Sequence, residues 1–244
     1  MIGFISNISR LSKMNTPMKK LLFLIAAIFF STSVLAQSAF EGFYAQVGIG
    51  YENDSLSSRS FTTSGATNGA PNGTVSGANS SGSAFSSAIG LGYNFSVAPR
   101  WLVGIGADYS PTNISTSTQA SYYGAIASNN YKVSNRFNIF ITPGYEIDRD
   151  KLAYIKAGYS NEAVAWQAQS GPPGAVNSST NQSGVIVGLG YKQLVDKNLY
   201  VFGEGNYYSY SSYTAGSINP TSGSFTPTQT PSAYQFLVGV GYKF

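Results

Sequence analysis

The chain has 244 residues, 14 Lys and Arg against 10 Asp and Glu, a formal charge of +4, and neither histidine nor cysteine. Arg10, Lys13, Lys19 and Lys20 account for the whole positive surplus. Beyond Ala36 ten basic residues face ten acidic ones, which excludes an electrostatic footprint for nucleic acid. The missing His and Cys exclude Ser-His-Asp and Cys-His catalysis, the usual nitrogen and sulfur metal ligands and any disulfide staple, so no cofactor or metal is expected.

In chain order, residues 1–17 read as an extended n-region or an upstream start, because Met18 opens a complete export signal by itself. Met18, Lys19 and Lys20 precede ten apolar residues, 21–30, and then a small and polar stretch ending at Ala36. That is the pattern of a cleavable signal helix over 18–36, cut after Ala36. The apolar run is too short to cross a bilayer, which needs roughly 20 such residues. The domain proper is expected over 37–244.

Eight segments of period-two alternation follow, at 42–52, 84–96, 100–110, 132–146, 152–166, 184–194, 199–210 and 233–244. Their connections alternate in length: long at 53–83, short near Val97-Ala98-Pro99, long at 111–131, short at 147–151, medium at 167–183, short at 195–198 and long at 211–232. Every second connection then lies on one side, as in an up-and-down barrel, with both termini on the short-turn side. The long connections are rich in Gly, Ser, Thr and Asn and are expected to be mobile.

Charge placement supports one register, since a charge facing lipid near the midplane costs roughly 2–4 kcal/mol and one facing the lumen need not. With Phe43, Val47, Ile49, Trp101, Ile105, Ile139, Ile155 and Val187 outward, Glu52, Asp108, Arg136, Glu146, Lys156, Glu162, Lys192 and Lys243 all point inward. Glu204 joins them if Leu199, Val201 and Tyr207 face lipid, although Tyr200 and Phe202 leave that strand ambiguous. Counting from the short turns groups the charges into an upper layer of Asp108, Arg136 and Glu162 and a lower one of Lys156, Lys192 and Glu204. The expected pairs are Arg136 with Asp108 and Glu162, and Glu204 with Lys192, making a polar plug. Water-solvated lumen charges are the alternative.

A Gly-x-Gly signature recurs, as in Val47-Gly-Ile-Gly-Tyr51, Ile89-Gly-Leu-Gly-Tyr93, Val187-Gly-Leu-Gly-Tyr191 and Val238-Gly-Val-Gly-Tyr242. A dinucleotide site would need a third glycine opening a helix, which none has. The glycines are expected on the inner wall, where missing side chains let eight strands close around the larger groups. Tyr93, Tyr145, Tyr191 and Tyr242 are expected in an aromatic girdle near the short turns, with Tyr51 and Tyr109 near the opposite rim. The cluster Tyr207-Tyr-Ser-Tyr-Ser-Ser-Tyr213 and the pair Tyr122-Tyr123 are read as outer girdle, with a contact surface for adhesion as the alternative.

The last strand puts Phe236, Val238, Val240, Tyr242 and the terminal Phe244 on one face. It resembles the assembly signal of outer-membrane barrels. With the export signal, strand count and loop rhythm, the chain resembles the OmpA-type, OmpX-type and opacity-type family of small outer-membrane barrels. That resemblance implies an all-β, eight-stranded antiparallel transmembrane barrel, a monomer in the outer membrane of a Gram-negative bacterium. Its implied partners are membrane lipids and lipopolysaccharide, with periplasmic chaperones and the barrel-assembly machinery acting during biogenesis. The resemblance does not fix a biochemical activity; the expected function is a structural or surface-interaction role and no enzyme, with a narrow porin-like channel for small solutes as the alternative and an adhesin or a histidine-independent enzyme behind it. Asp108 and Glu162 are the remaining carboxylates for catalysis, and they read more simply as partners of Arg136.

Overall fold

The structure, a computed structural model, describes residues 38–57, 60–64, 73–76, 80–111, 113–122, 125–170, 178–214 and 224–244. The export signal expected over 18–36, the extension over 1–17 and Tyr123 lie outside the described residues. Eight strands make a ring: β1 (Gly42–Leu56), β2 (Ser80–Ala98), β3 (Trp101–Ser110), β4 (Ala125–Asp148), β5 (Lys151–Ser170), β6 (Ser178–Leu194), β7 (Leu199–Tyr210) and β8 (Pro231–Lys243). Each pairs antiparallel with the next, and β8 closes on β1 with Gly48 opposite Gly239 and Gly50 opposite Leu237. The Phe244 N–H donates to Phe43 O at 2.9 Å, so the ladder runs to the last residue. Closure leaves no barrel strand with an unpaired edge, which is what a sheet in hydrocarbon requires.

Alternation decides what faces out. On β8, Phe236 is 64% exposed and its neighbour Leu237 only 4%. On β7 the ambiguity resolves with Leu199 and Val201 outward and Tyr200 and Phe202 buried. Inward glycines make room for these rings: a Cβ on Gly92, Gly190 or Gly241 would overlap the rings of Tyr44, Tyr154 and Tyr200 respectively. Each glycine stands directly opposite its tyrosine on the neighbouring strand. A glycine covered by a cross-strand ring loses less backbone to solvent, a known aid to sheet stability.

Short turns close one end. Ala98 pairs with Trp101, leaving Pro99 and Arg100 as the turn, and Arg100 has a φ of 67°. Proline presets the first central position and the second takes the left-handed conformation of a type II turn. The Glu146 N–H donates to Arg100 O at 2.8 Å and ties this turn to β4. In the next turn the Arg149 N–H donates to Asp148 Oδ1 at 2.9 Å. That bond, with Lys151 beside it, holds the Asp148 carboxyl below the usual carboxylate range.

The described parts of the long connections carry strand ladders that the apolar alternation does not mark. β4 and β5 extend as a hairpin to Ala125 and Ser170, and a further strand, Ile114–Tyr122, pairs with the start of β4. Ser60–Ser64 and Gly73–Ser76, from the first connection, join Tyr213–Thr214 and Ser224–Gln229, from the last, in a separate four-stranded antiparallel sheet. Apolar alternation marks only the part of a strand that needs a buried face. Backbone ladders continue beyond it through Ser and Thr, and Thr is itself a good strand former.

Candidate functional site

Among the described residues the lumen is where charge is concentrated away from water, and β5 reads through it layer by layer. Its inward side chains from the turn end are Leu152, Tyr154, Lys156, Gly158, Ser160, Glu162 and Val164, all buried except the half-buried glycine. Leu152 and Tyr154 pack with Phe40 and Leu102, closing the turn end. Val164 packs with Leu56 and Val133, closing the loop end. Two ion clusters lie between these apolar seals.

The cluster nearer the loops centres on Arg136. A bulge in β4 between Ser134 and Phe137, with Asn135 at a φ of 54°, shifts the alternation by one residue just beyond Arg136, so that Val133 as well as Arg136 is buried inside. Tyr109 OH donates to Asn135 Oδ1 at 2.8 Å and holds the bulge from the outer face. Arg136 donates to Glu162 through Nε at 3.1 Å and Nη2 at 2.8 Å, to Asp54 through Nη2 at 3.4 Å, and to Glu52 through Nη1. Its guanidinium lies 4.2 Å from the Tyr208 ring centroid and 5.8 Å from that of Tyr210. Cation and carboxylates are all 4% exposed or less. Guanidinium is the cation suited to this, because its planar fork satisfies several carboxylates at once and stacks on aromatic faces.

Nearer the turns, Lys156 Nζ donates to Asp108 Oδ2 at 2.7 Å and Glu204 Oε1 at 2.8 Å. Asn138 donates to Asp108 at 2.5 Å, and Tyr154 OH and Asn206 donate to Glu204, each at 2.8 Å. Gln235 joins the two clusters: its amide nitrogen donates to Glu52 at 2.7 Å, and its oxygen accepts from Asn206 at 3.2 Å and Tyr208 OH at 2.9 Å. A continuous chain thus runs Arg136–Glu52–Gln235–Asn206–Glu204–Lys156–Asp108.

Three placements correct the sequence reading. Arg136 does pair with Glu162, but Asp108 belongs to Lys156. Register explains this: Asp108 stands opposite Asn138, whereas Arg136 stands opposite Ser110, one inward step nearer the loops. Counting from the turns treats strands as upright, whereas tilt displaces rows between neighbours. Likewise Lys192 stands opposite Phe202, one step below Glu204, and makes no ion pair among the described residues. Its ammonium lies 3.9, 4.9 and 5.3 Å from the ring centroids of Tyr44, Tyr200 and Tyr154, a cation–π setting. Third, Tyr208 and Tyr210 are not girdle: both are buried and stack at 6.3 Å, with the Tyr210 hydroxyl 2.8 Å from Ser160 Oγ.

The outer wall carries the other expected residues. Tyr51, Tyr109, Tyr145, Tyr191 and Tyr242 are exposed, and the half-buried Tyr93 packs edge-on to Phe43 at 4.7 Å. Tyr145 meets Trp101 at 5.0 Å, and Tyr242 meets Phe244 at 5.2 Å. Phe236, Val238, Val240, Tyr242 and Phe244 form one exposed row. Asp54, Gln235 and Phe40 were not singled out by sequence reasoning. Continuing the alternation of β1 past Glu52 would have found Asp54; nothing in the sequence marks Phe40, which precedes the first strand.

The fold agrees with that of known proteins. Outer membrane protein P1 of Coxiella burnetii (strain RSA 493 / Nine Mile phase I) is 24% identical over 168 residues, 66% of this chain and 64% of that protein, so the chain spans under two thirds of that relative's length. The solved structure of OprG from Pseudomonas aeruginosa superposes with a TM-score of 0.57 at 12% identity, covering 85% of this chain and 98% of that one. The outer membrane protease OmpT from Escherichia coli reaches 0.49 at 11% identity over 85% and 98%, too distant to bear on activity. The family model for the outer membrane protein beta-barrel domain matches residues 22–244, nearly the whole sequence. The chain therefore belongs to the outer-membrane β-barrel family.

Proposed function

We propose that this barrel is a closed structural and surface-interaction protein: its wall strengthens the outer membrane, its lumen is plugged, and its long connections make contacts outside the cell. The observation that carries this reading is the pair of buried ion clusters bridged by Gln235 and sealed at both ends by apolar side chains. An eight-stranded interior is just wide enough for side chains to fill. The reading includes export through residues 18–36, assembly by periplasmic chaperones and the barrel-assembly machinery through the terminal Phe244, a monomeric state, and lipid and lipopolysaccharide around the wall. No enzymatic role is proposed, because Asp108 and Glu162 are already held by Lys156 and Arg136.

One observation favours a narrow cation channel as the second reading. The buried charges comprise five carboxylates (Glu52, Asp54, Asp108, Glu162, Glu204) and three cations (Arg136, Lys156, Lys192), and three buried oxygens, Asp54 Oδ2, Asn138 Oδ1 and Asn206 Oδ1, lack a donor among the described residues. Conductance in planar bilayers separates the readings. The plugged barrel gives no discrete openings; steady cation-selective steps from the native protein overturn it. Removing residues 211–232 tests the surface role: the barrel should stay folded while cell attachment falls, and unchanged attachment removes that role.

A further inference from the structure

We propose that residues 38–41 are a displaceable cork that shuts a vestibule at the turn end, at the bottom of which Lys192 is caged. This rests on the closed-lumen reading and adds a moving part to it. Phe40 is only 2% exposed although it precedes the first strand. Its ring packs on Leu102, Leu152 and Tyr154, and its carbonyl accepts from Asn94 Nδ2 at 2.9 Å. Ser38 Oγ donates to Glu146 Oε1 on β4, three strands round the ring from β1, and also accepts from the Phe40 N–H at 3.1 Å. The Glu41 N–H donates to Ser38 O at 3.2 Å, which makes the segment a compact turn. Gly42 then reverses the chain into β1 with a φ of 118°, a conformation that glycine adopts without strain.

The attachment of this segment differs in kind from that of every other lumen group described above. Those side chains project from strands locked by ladders on both sides. Among the described residues the cork is fixed by side-chain hydrogen bonds and one ring, so it can swing out about Gly42 without breaking a pair in the barrel sheet. Local openings of this sort occupy the low-stability end of a native ensemble. Behind it Leu152 touches Phe40 and stands opposite Lys192. The Lys192 ammonium lies among Tyr44, Tyr200 and Tyr154, and the Lys156 cluster closes the space beyond. Withdrawing the cork therefore exposes a dead-end vestibule, and the barrel itself stays shut to ions.

The chain has no cysteine, so a thiol placed at position 192 reports this opening cleanly. The full chain carrying Lys192→Cys is folded in detergent micelles and treated with a charged, water-soluble thiol reagent, and the product is read by peptide mass. The same measurement is made with Phe40→Ser added and, separately, with Asn94→Ala, which leaves the apolar contacts in place should the first variant fold poorly. Reaction about tenfold or more faster in either cork variant, as expected for a local opening made easier, supports the cork. Equal rates with and without the cork changes overturn it, whether both are fast or both slow. Bilayer conductance of Phe40→Ser keeps the two readings apart. Zero conductance is expected in either background; openings in the native protein overturn the plug, and openings confined to Phe40→Ser overturn the dead end.

Discussion

Replacing Arg136 by Ala removes the sole cation, among the described residues, from a buried group of three carboxylates, Glu52, Asp54 and Glu162. Breaking a buried ion pair by deleting one partner costs about 3–5 kcal/mol, because the other charge stays desolvated. Loss of the contact with the Tyr208 ring adds ~1 kcal/mol. The expected destabilisation is therefore about 5 kcal/mol, the upper part of the ion-pair range with the ring contact included. With a denaturant slope of about 2 kcal/mol per molar, the urea midpoint falls by roughly 2.5 M. Reversible urea unfolding in lipid vesicles, followed by fluorescence of the lipid-facing Trp101, measures this shift. The companion variant Arg136→Met with Glu52→Gln, Asp54→Asn and Glu162→Gln removes the charges together and should recover most of the loss, since apolar or neutral replacements of buried ions are often nearly neutral. A midpoint for Arg136→Ala within about 0.5 M of the native value, around 1 kcal/mol at that slope, would refute the view that this cation neutralises a desolvated cluster.

At the β4 bulge, Asn135→Gly should be tolerated and Asn135→Val should cost about 1–2 kcal/mol, the penalty of a branched residue in the left-handed region; equal unfolding midpoints contradict a required left-handed conformation. Gly190→Ala drives a methyl into the Tyr154 ring, which Glu204 holds by its hydroxyl. The expected cost is about 1–3 kcal/mol of overpacking, relieved by adding Tyr154→Leu, and a double variant no more stable than Gly190→Ala counts against the ring-over-glycine packing. Deleting Phe244 removes the last ladder bond to Phe43 and the ring against Tyr242. Surface levels after pulse labelling should drop severalfold, and normal levels and rate would remove its role as an assembly signal. In the β2–β3 turn, Arg100→Gly should raise stability by up to about 1 kcal/mol by relieving the left-handed backbone, and a lowered unfolding midpoint would show that the Arg100 side chain matters more than its conformation.

The amino-acid pattern alone determined the barrel's wall. A half-exposed strand writes its environment into every second residue, so eight alternating segments and the rhythm of their connections set strand number, direction and the outward face. It also determined which charges enter the lumen at Asp108, Arg136, Lys156, Glu162 and Lys192, positions that hydrocarbon would penalise, whereas the inward placement of Glu204 was decided by the burial of Tyr200 and Phe202 on the same strand. The strand ends were less legible, since the polar hairpins at Ala125–Asp148 and Lys151–Ser170 continue on backbone bonds that carry no side-chain signature. Partnership inside the lumen was decided only by tertiary structure. Which charges meet depends on the register between strands: Asp108 stands opposite Asn138 and Arg136 opposite Ser110, so Asp108 meets Lys156 while Arg136 meets Glu52 and Glu162. The seal by Phe40 was likewise invisible, because a residue outside the periodic segments acquires its burial from three strands that are distant in sequence.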